Sequence, residues 1–115
     1  MPPAVDKQAA YYLKYYKKLE IGIMNIIVKE HVQYDLLDSL LLIPNENGVL
    51  ETNHAIGLED TAAFIWKCIT ENKDYNSIIK RLLEEYEVKV EELEKDVSAL
   101  LDKLENANLI YIEKS

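Results

Sequence analysis

Three apolar stripes at helical spacing follow one another in the second half of the chain, and they restrict its fold more than any other feature. Leu58, Ala62, Ile65, Trp66 and Ile69 fall at i, i+4, i+7, i+8 and i+11, along one side of a helix. Ile78, Ile79, Leu82, Leu83 and Tyr86 form a second stripe, with Asp74 placed ahead of it as an N-cap. Leu93, Val97, Leu100, Leu101 and Leu104 form a third, which begins near Val90. Glu91 and Glu92 in its first turn suit the positive end of the helix dipole. Asn108 provides a left-handed cap at its end. Each helix has an acidic outer side, so the three can enclose a core only against another apolar face.

The preceding segment, Asn25–His54, supplies that face and reads as extended chain. Asn25-Ile26-Ile27-Val28 is a short β-branched run, and Leu36–Ile43 is an apolar run predicted to stop at Pro44, which cannot donate to a central ladder. Asn45-Glu46-Asn47-Gly48 is dense in residues that accept positive φ. Val49-Leu50-Glu51-Thr52 resumes an extended run, so two strands around a loop of roughly five residues read as a hairpin. The helical half is predicted to start at Gly57, and Leu109-Ile110-Tyr111-Ile112 closes as a small strand or a packed tail. Strands followed by helices make an α+β domain.

At 115 residues the chain is long enough for one domain, and its 49% apolar and 30% charged residues are a globular balance. No apolar run approaches the roughly 20 residues of a membrane-spanning helix, and Met1–Ala10 has no secretion-signal core. Cys68 is the single cysteine, and no Cys/His spacing suggests zinc. There is no Gly-rich phosphate loop and no nucleophile elbow. His31 and His54 read as surface or turn residues, Trp66 as core, and the glutamate pairs near residues 84 and 91 as solvated helix faces. The expectation is a cytoplasmic, non-enzymatic protein with no metal, no cofactor and no catalytic residue.

Charge divides the chain. Residues 1–23 carry Lys7, Lys14, Lys17 and Lys18 against Asp6 and Glu20, a net +2, while the remainder holds nine basic and nineteen acidic residues, a net −10. An acidic body repels phosphate backbones and favours cationic peptide segments. Residues 1–23 also hold the block Tyr11-Tyr12-Leu13-Lys14-Tyr15-Tyr16, in which Tyr12, Tyr15, Tyr16 and Leu19 share a helical side. This segment is treated as an extension distinct from residues 24–115. Three roles are open to it: an amphipathic helix packed on its own body or a second copy, a leader-like occupant of a peptide groove, or a tag-like extension.

The helical half carries a recognisable spelling. Leu58-Glu59-Asp60-Thr61-Ala62-Ala63-Phe64-Ile65-Trp66 resembles the first-helix motif of the PqqD-like family. Ile78-Ile79-x-x-Leu82-Leu83-x-x-Tyr86-Glu87-Val88 is similar to that family's second helix and its exit, and Leu93-x-x-Asp96-Val97-x-x-Leu100-Leu101-x-x-Leu104 to its third. Ala107-Asn108-Leu109-Ile110 resembles its closing segment, so the resemblance spans about residues 24–112. Two positions depart from the family spelling: Glu59 stands for the usual Asn before the first helix, and Asn108 for the usual Gly.

The resemblance implies a winged-helix-like fold, a three-stranded antiparallel sheet followed by three helices. It also implies a precursor-peptide recognition element, which binds the leader of a ribosomally made peptide and delivers it to a radical SAM enzyme, a cyclase or a leader peptidase. The leader joins the sheet as an extra strand beside the third strand and against the third helix. Carried onto this chain, the edge is Val49, Leu50, Glu51 and Thr52, and the facing helix about Glu91–Glu105. Val97 and Leu101 are expected as apolar contacts, and Asp96, Asp102 and Glu105 as partners for basic leader residues. Two rival readings remain, a winged-helix DNA-binding regulator and a dimerisation or scaffold domain, and the chain is expected as a monomer or homodimer. The DNA reading needs a basic third helix, whereas acids outnumber Lys95 and Lys103 there.

Overall fold

The computed structural model describes residues 24–114 apart from Lys73, with Lys114 as backbone only. The tyrosine stripe and every role considered for residues 1–23 lie outside the described residues. The strands are β1 (Met24–Val28), β2 (His31–Asp35), β3 (Ser39–Glu46), β4 (Val49–Leu50) and β5 (Ile56–Glu59). The helices α1 (Asp60–Asn72), α2 (Tyr75–Glu85) and α3 (Val90–Asn106) follow, and β6 (Ile110–Lys114) closes the fold.

β3 is the centre of the main sheet. β2 pairs antiparallel with one of its edges, from His31 opposite Pro44 to Asp35 opposite Leu40. Leu36 and Ser39 close this hairpin by exchanging backbone hydrogen bonds at 2.8 and 3.4 Å, which leaves Leu37-Asp38 as a two-residue loop. The apolar run predicted as a strand over Leu36–Ile43 is therefore displaced to Ser39–Glu46, and Leu36 and Leu37 sit exposed at the hairpin tip. Pro44 does not end the strand. Its carbonyl accepts from Glu51 N–H at 2.8 Å. In an antiparallel ladder a residue's N and C=O face the same edge, so the missing N–H of Pro44 faces the side where the ladder is interrupted.

That interruption lies on the other edge of β3, which β4 and β5 share. The β3–β4 hairpin turns through Asn47 (φ 55°) and Gly48 (φ 82°), a two-residue type I′ loop rather than the five-residue loop predicted. Between the pairs Asn45–Leu50 and Leu42–Ile56, β3 advances three residues and its partner six. The three extra residues form a 3-10 turn, Thr52–His54. Thr52, predicted as strand, belongs to this turn, and Leu58, predicted as the head of a helical stripe, belongs to β5. Among the described residues the fold is α+β, with antiparallel pairing and three helices. They form two sheets, because β1 and β6 pair with no other named strand.

The helix ends follow from local chemistry. The Asp74 side chain accepts from Ser77 N–H at 3.1 Å and caps α2. α3 ends in a Schellman arrangement. Leu109 N–H reaches Leu104 C=O at 3.0 Å and Asn108 N–H reaches Glu105 C=O at 3.0 Å, with Asn108 left-handed at φ 66°. Leu104 and Leu109 are both fully buried, completing the motif with an apolar contact. One core joins Leu42, Ile56 and Leu58 of the main sheet, Ile26 and Ile110 of the second sheet, and the inward stripes of all three helices. Trp66 is buried in it and places its Nε1–H 3.1 Å from Gln33 Oε1, which satisfies the indole donor.

Candidate functional site

Ladder parity decides what β4 and β5 offer to a partner. Because Pro44 faces this edge of β3, so do Leu42 and Leu40. Their partners Ile56 and Leu58 therefore turn their backbone groups inward to β3, and Gly57 between them turns its N–H and C=O outward. The same alternation directs Glu51 inward, as its 2.8 Å bond to Pro44 C=O requires, and Leu50 outward. Among the described residues, β4 and β5 pair with no strand other than β3. The outward-facing backbone positions of the two strands are thus Leu50, Gly57 and Glu59, on either side of the 3-10 turn. Side chains alternate in the same register: Ile56 and Leu58 are buried, while Gly57 and Glu59 are exposed. A Cβ added to Gly57 would meet nothing within 4 Å, so the outer face of β5 is open.

The residues expected from the sequence divide by depth. Val49 is 60% exposed and Leu50 43%, a small apolar surface at the head of the free edge. Glu51 is half-buried and Thr52 exposed. On α3, Asp96, Asp102 and Glu105 are exposed, whereas Val97 and Leu101 lie in the core at 0% and 2% exposure. Those two side chains support α3 from beneath and present no surface to a ligand in this conformation. Gly57 and Glu59 are not singled out by the sequence, because the two-residue alternation Ile56-Gly57-Leu58-Glu59 merges with the helical stripe at Leu58, which fits both periods.

One contact joins the hairpin to the end of α3. Asn108 Nδ2 donates to Glu46 Oε2 at 3.1 Å, and Glu46 is the strand residue opposite Val49. Asn108 Oδ1 in turn accepts from Lys29 Nζ, at the bend between β1 and β2. The left-handed cap of α3 therefore also holds the β3–β4 hairpin beside the last turn of the helix, where Asp102 and Glu105 are exposed.

Among the described residues, the titratable groups whose ionisation is clearly shifted are Cys68 and Arg81. Burial pushes the Cys68 thiol above its ordinary value, which suppresses the nucleophilic thiolate. His31 Nδ1 lies 3.0 Å from Lys29 C=O and its ring meets Trp66 edge-on at 5.3 Å, while His54 is exposed in the 3-10 turn. Arg81 is raised by its 2.9 Å hydrogen bond to Glu85 and lies over the Phe64 ring at 5.5 Å, a surface helix contact. Among the described residues, no group of three or more His, Cys, Asp or Glu is placed to hold a metal ion. No helix among them is long and apolar enough to cross a membrane. The outer edge of β4 and β5 has no strand partner among the described residues, and Glu51 and Glu59 lie along it.

Comparison with curated proteins and with solved structures gives no significant match. A family model described as Coenzyme PQQ synthesis protein D (PqqD) matches residues 46–110, from the end of β3 to the start of β6. That span is more than half of the chain and includes β4, β5 and all three helices. The chain belongs to the PqqD family.

Proposed function

We propose that residues 24–115 bind the leader segment of a ribosomally synthesised precursor peptide by strand addition. The chain then delivers the peptide to a modifying enzyme or leader peptidase in the cytoplasm, with no catalysis of its own. The observation that carries this reading is the outward edge of β4 and β5, which has no strand partner among the described residues. An extended peptide there would bond to the backbone of Leu50 and Gly57 and lay alternate side chains over Val49 and the outer face of β5. The exposed acids Asp96, Asp102 and Glu105 on α3 would favour a leader with basic residues, and Val97 and Leu101 would hold that helix in position from the core. A winged-helix-like relation between sheet and helices is part of the same reading.

Family membership supports a role in peptide-derived biosynthesis alongside a partner enzyme. The DNA-binding alternative is disfavoured by the acidic outer face of α3, and the scaffold alternative would use the same edge to pair with a second copy. Calorimetric titration with synthetic leader peptides encoded near this chain tests the proposal. Saturable binding by the wild type, lost when residues 49–52 are replaced by a proline-containing segment, is the expected result. Equal binding by both proteins would overturn the strand-addition reading. Sedimentation at increasing concentration separates the scaffold alternative, which requires self-association.

A further inference from the structure

The edge of β3 opposite β4 and β5 borders a second surface. Between the β2–β3 hairpin and α1 lies an open cleft of about 570 Å3. Leu36 is 56% exposed and Leu37 fully exposed on one wall, and the half-buried Phe64 faces the cleft from α1. Asp35, Asp38 and Asp60 also line it against the single base Lys67. Two adjacent exposed leucines beside three carboxylates call for an occupant that is both apolar and cationic.

The chain itself supplies such a segment at the right place. Residues 1–23 lead directly into β1, and Asn25 of β1 bridges to Asp74, just past the end of α1. Ile26, Ile27 and Val28 share a recess with Thr70 of α1, and Thr70 also lines the cleft. The tether therefore begins beside one end of the cleft. From Thr70 to Asp60 the α1 face measures about 15 Å at 1.5 Å per residue. Twenty-three residues would span about 34 Å even if fully helical, so reach is not limiting. Covalent attachment adds an effective concentration in the millimolar range for short tethers.

We propose that residues 1–23 dock in the cleft of their own chain, with tyrosines of Tyr11–Tyr16 over Leu36, Leu37 and Phe64 and lysines 14, 17 and 18 toward Asp35, Asp38 and Asp60. Docking covers the exposed leucines and leaves the β4–β5 edge free, so the segment acts as a fixed part of the domain rather than as a competitor for leader.

The test uses the full chain carrying Gln8→Cys with a nitroxide spin label; Cys68, 1% exposed, is shielded from the reagent. The expected result is loss of amide signal for residues 35–40 and along the exposed face of α1, with Leu37→Glu restoring that signal. Leu37 is fully exposed, so this substitution leaves the fold intact. Signal loss confined to residues 49–59 would overturn the proposal by showing the segment on the other edge. Absence of any localised loss would overturn it as well. So would an equal loss on isotope-enriched chains without the label when they are mixed with spin-labelled chains of natural abundance, because the occupant would then be a second copy. Leader binding is read separately by the calorimetric titration.

Discussion

Replacing Gly57 by proline isolates strand addition from other ways a peptide could rest on this sheet. Parity in the β3–β5 ladder turns the Gly57 N–H away from β3, so its removal breaks no ladder bond of the folded chain. Edge strands accept proline where the N–H faces outward. Ile56, the preceding residue, is already in a strand, the conformation that a following proline demands. The surroundings are open, with nothing within 4 Å of an added Cβ. Thermal stability is therefore expected to change by less than about 1 kcal/mol, a shift of a few degrees. A leader paired with β5 would lose one backbone hydrogen bond, worth about 0.5–1.5 kcal/mol, so Kd should rise by about 2- to 13-fold. The proline ring also projects toward the incoming strand, which makes this a lower bound. Calorimetric titration of the wild type, Gly57→Ala and Gly57→Pro measures the effect, because alanine keeps the N–H and should retain wild-type affinity. A folded Gly57→Pro protein that binds leader as tightly as the wild type would refute the assignment of this edge.

Two further predictions concern stability. Asn108→Ala forces a left-handed alanine and deletes the side-chain bonds to Glu46 and Lys29, whereas Asn108→Gly deletes the bonds but accepts the backbone. The glycine variant should unfold at the higher temperature, by about 1–2 kcal/mol of backbone cost, and equal melting of the two would contradict the cap geometry. For Cys68, burial raises the folded-state pKa above the ordinary value of 9.0, so the folded chain keeps the thiol protonated where the unfolded chain ionises. The resulting stability is complete below pH 9 and is lost as pH rises from there through the folded-state pKa. Denaturant unfolding from pH 8 upward should show a steeper loss for the wild type than for Cys68→Ala, and parallel profiles would sink the claim.

The sequence reveals the helices better than the sheet, and the reason is range. Asp74, the stripes of α2 and α3 and the Asn108 cap are read within a few residues of one another and are found where expected, except that Tyr86 lies just past α2 as its extended C-cap. Strand limits depend on distant partners. Leu36 and Leu37 look like strand because they are apolar, but the hairpin reverses at Leu37-Asp38 and leaves them in solvent. Pro44 looks like a stop, yet its missing donor faces a ladder already broken by Thr52–His54. The pairing of β1 with β6 joins segments more than eighty residues apart, and no local pattern marks it. For the candidate edge, the strand at Val49–Leu50 was legible from the Asn47-Gly48 turn. The second half at Ile56–Glu59 was hidden because Leu58 stands four residues before Ala62.

The β1–β6 ladder sets how the domain responds to load. Met24 lies opposite Lys114 and Val28 opposite Ile110, so both free strand ends leave from the same side. Tension applied between Met24 and Lys114 would open this clasp one residue pair at a time, like a zipper. It would not have to shear every cross-strand bond together. A pull across this pair is thus the weak mechanical direction of the fold, and β1 can peel away while the β2–β3–β5 ladder bears little of the strain.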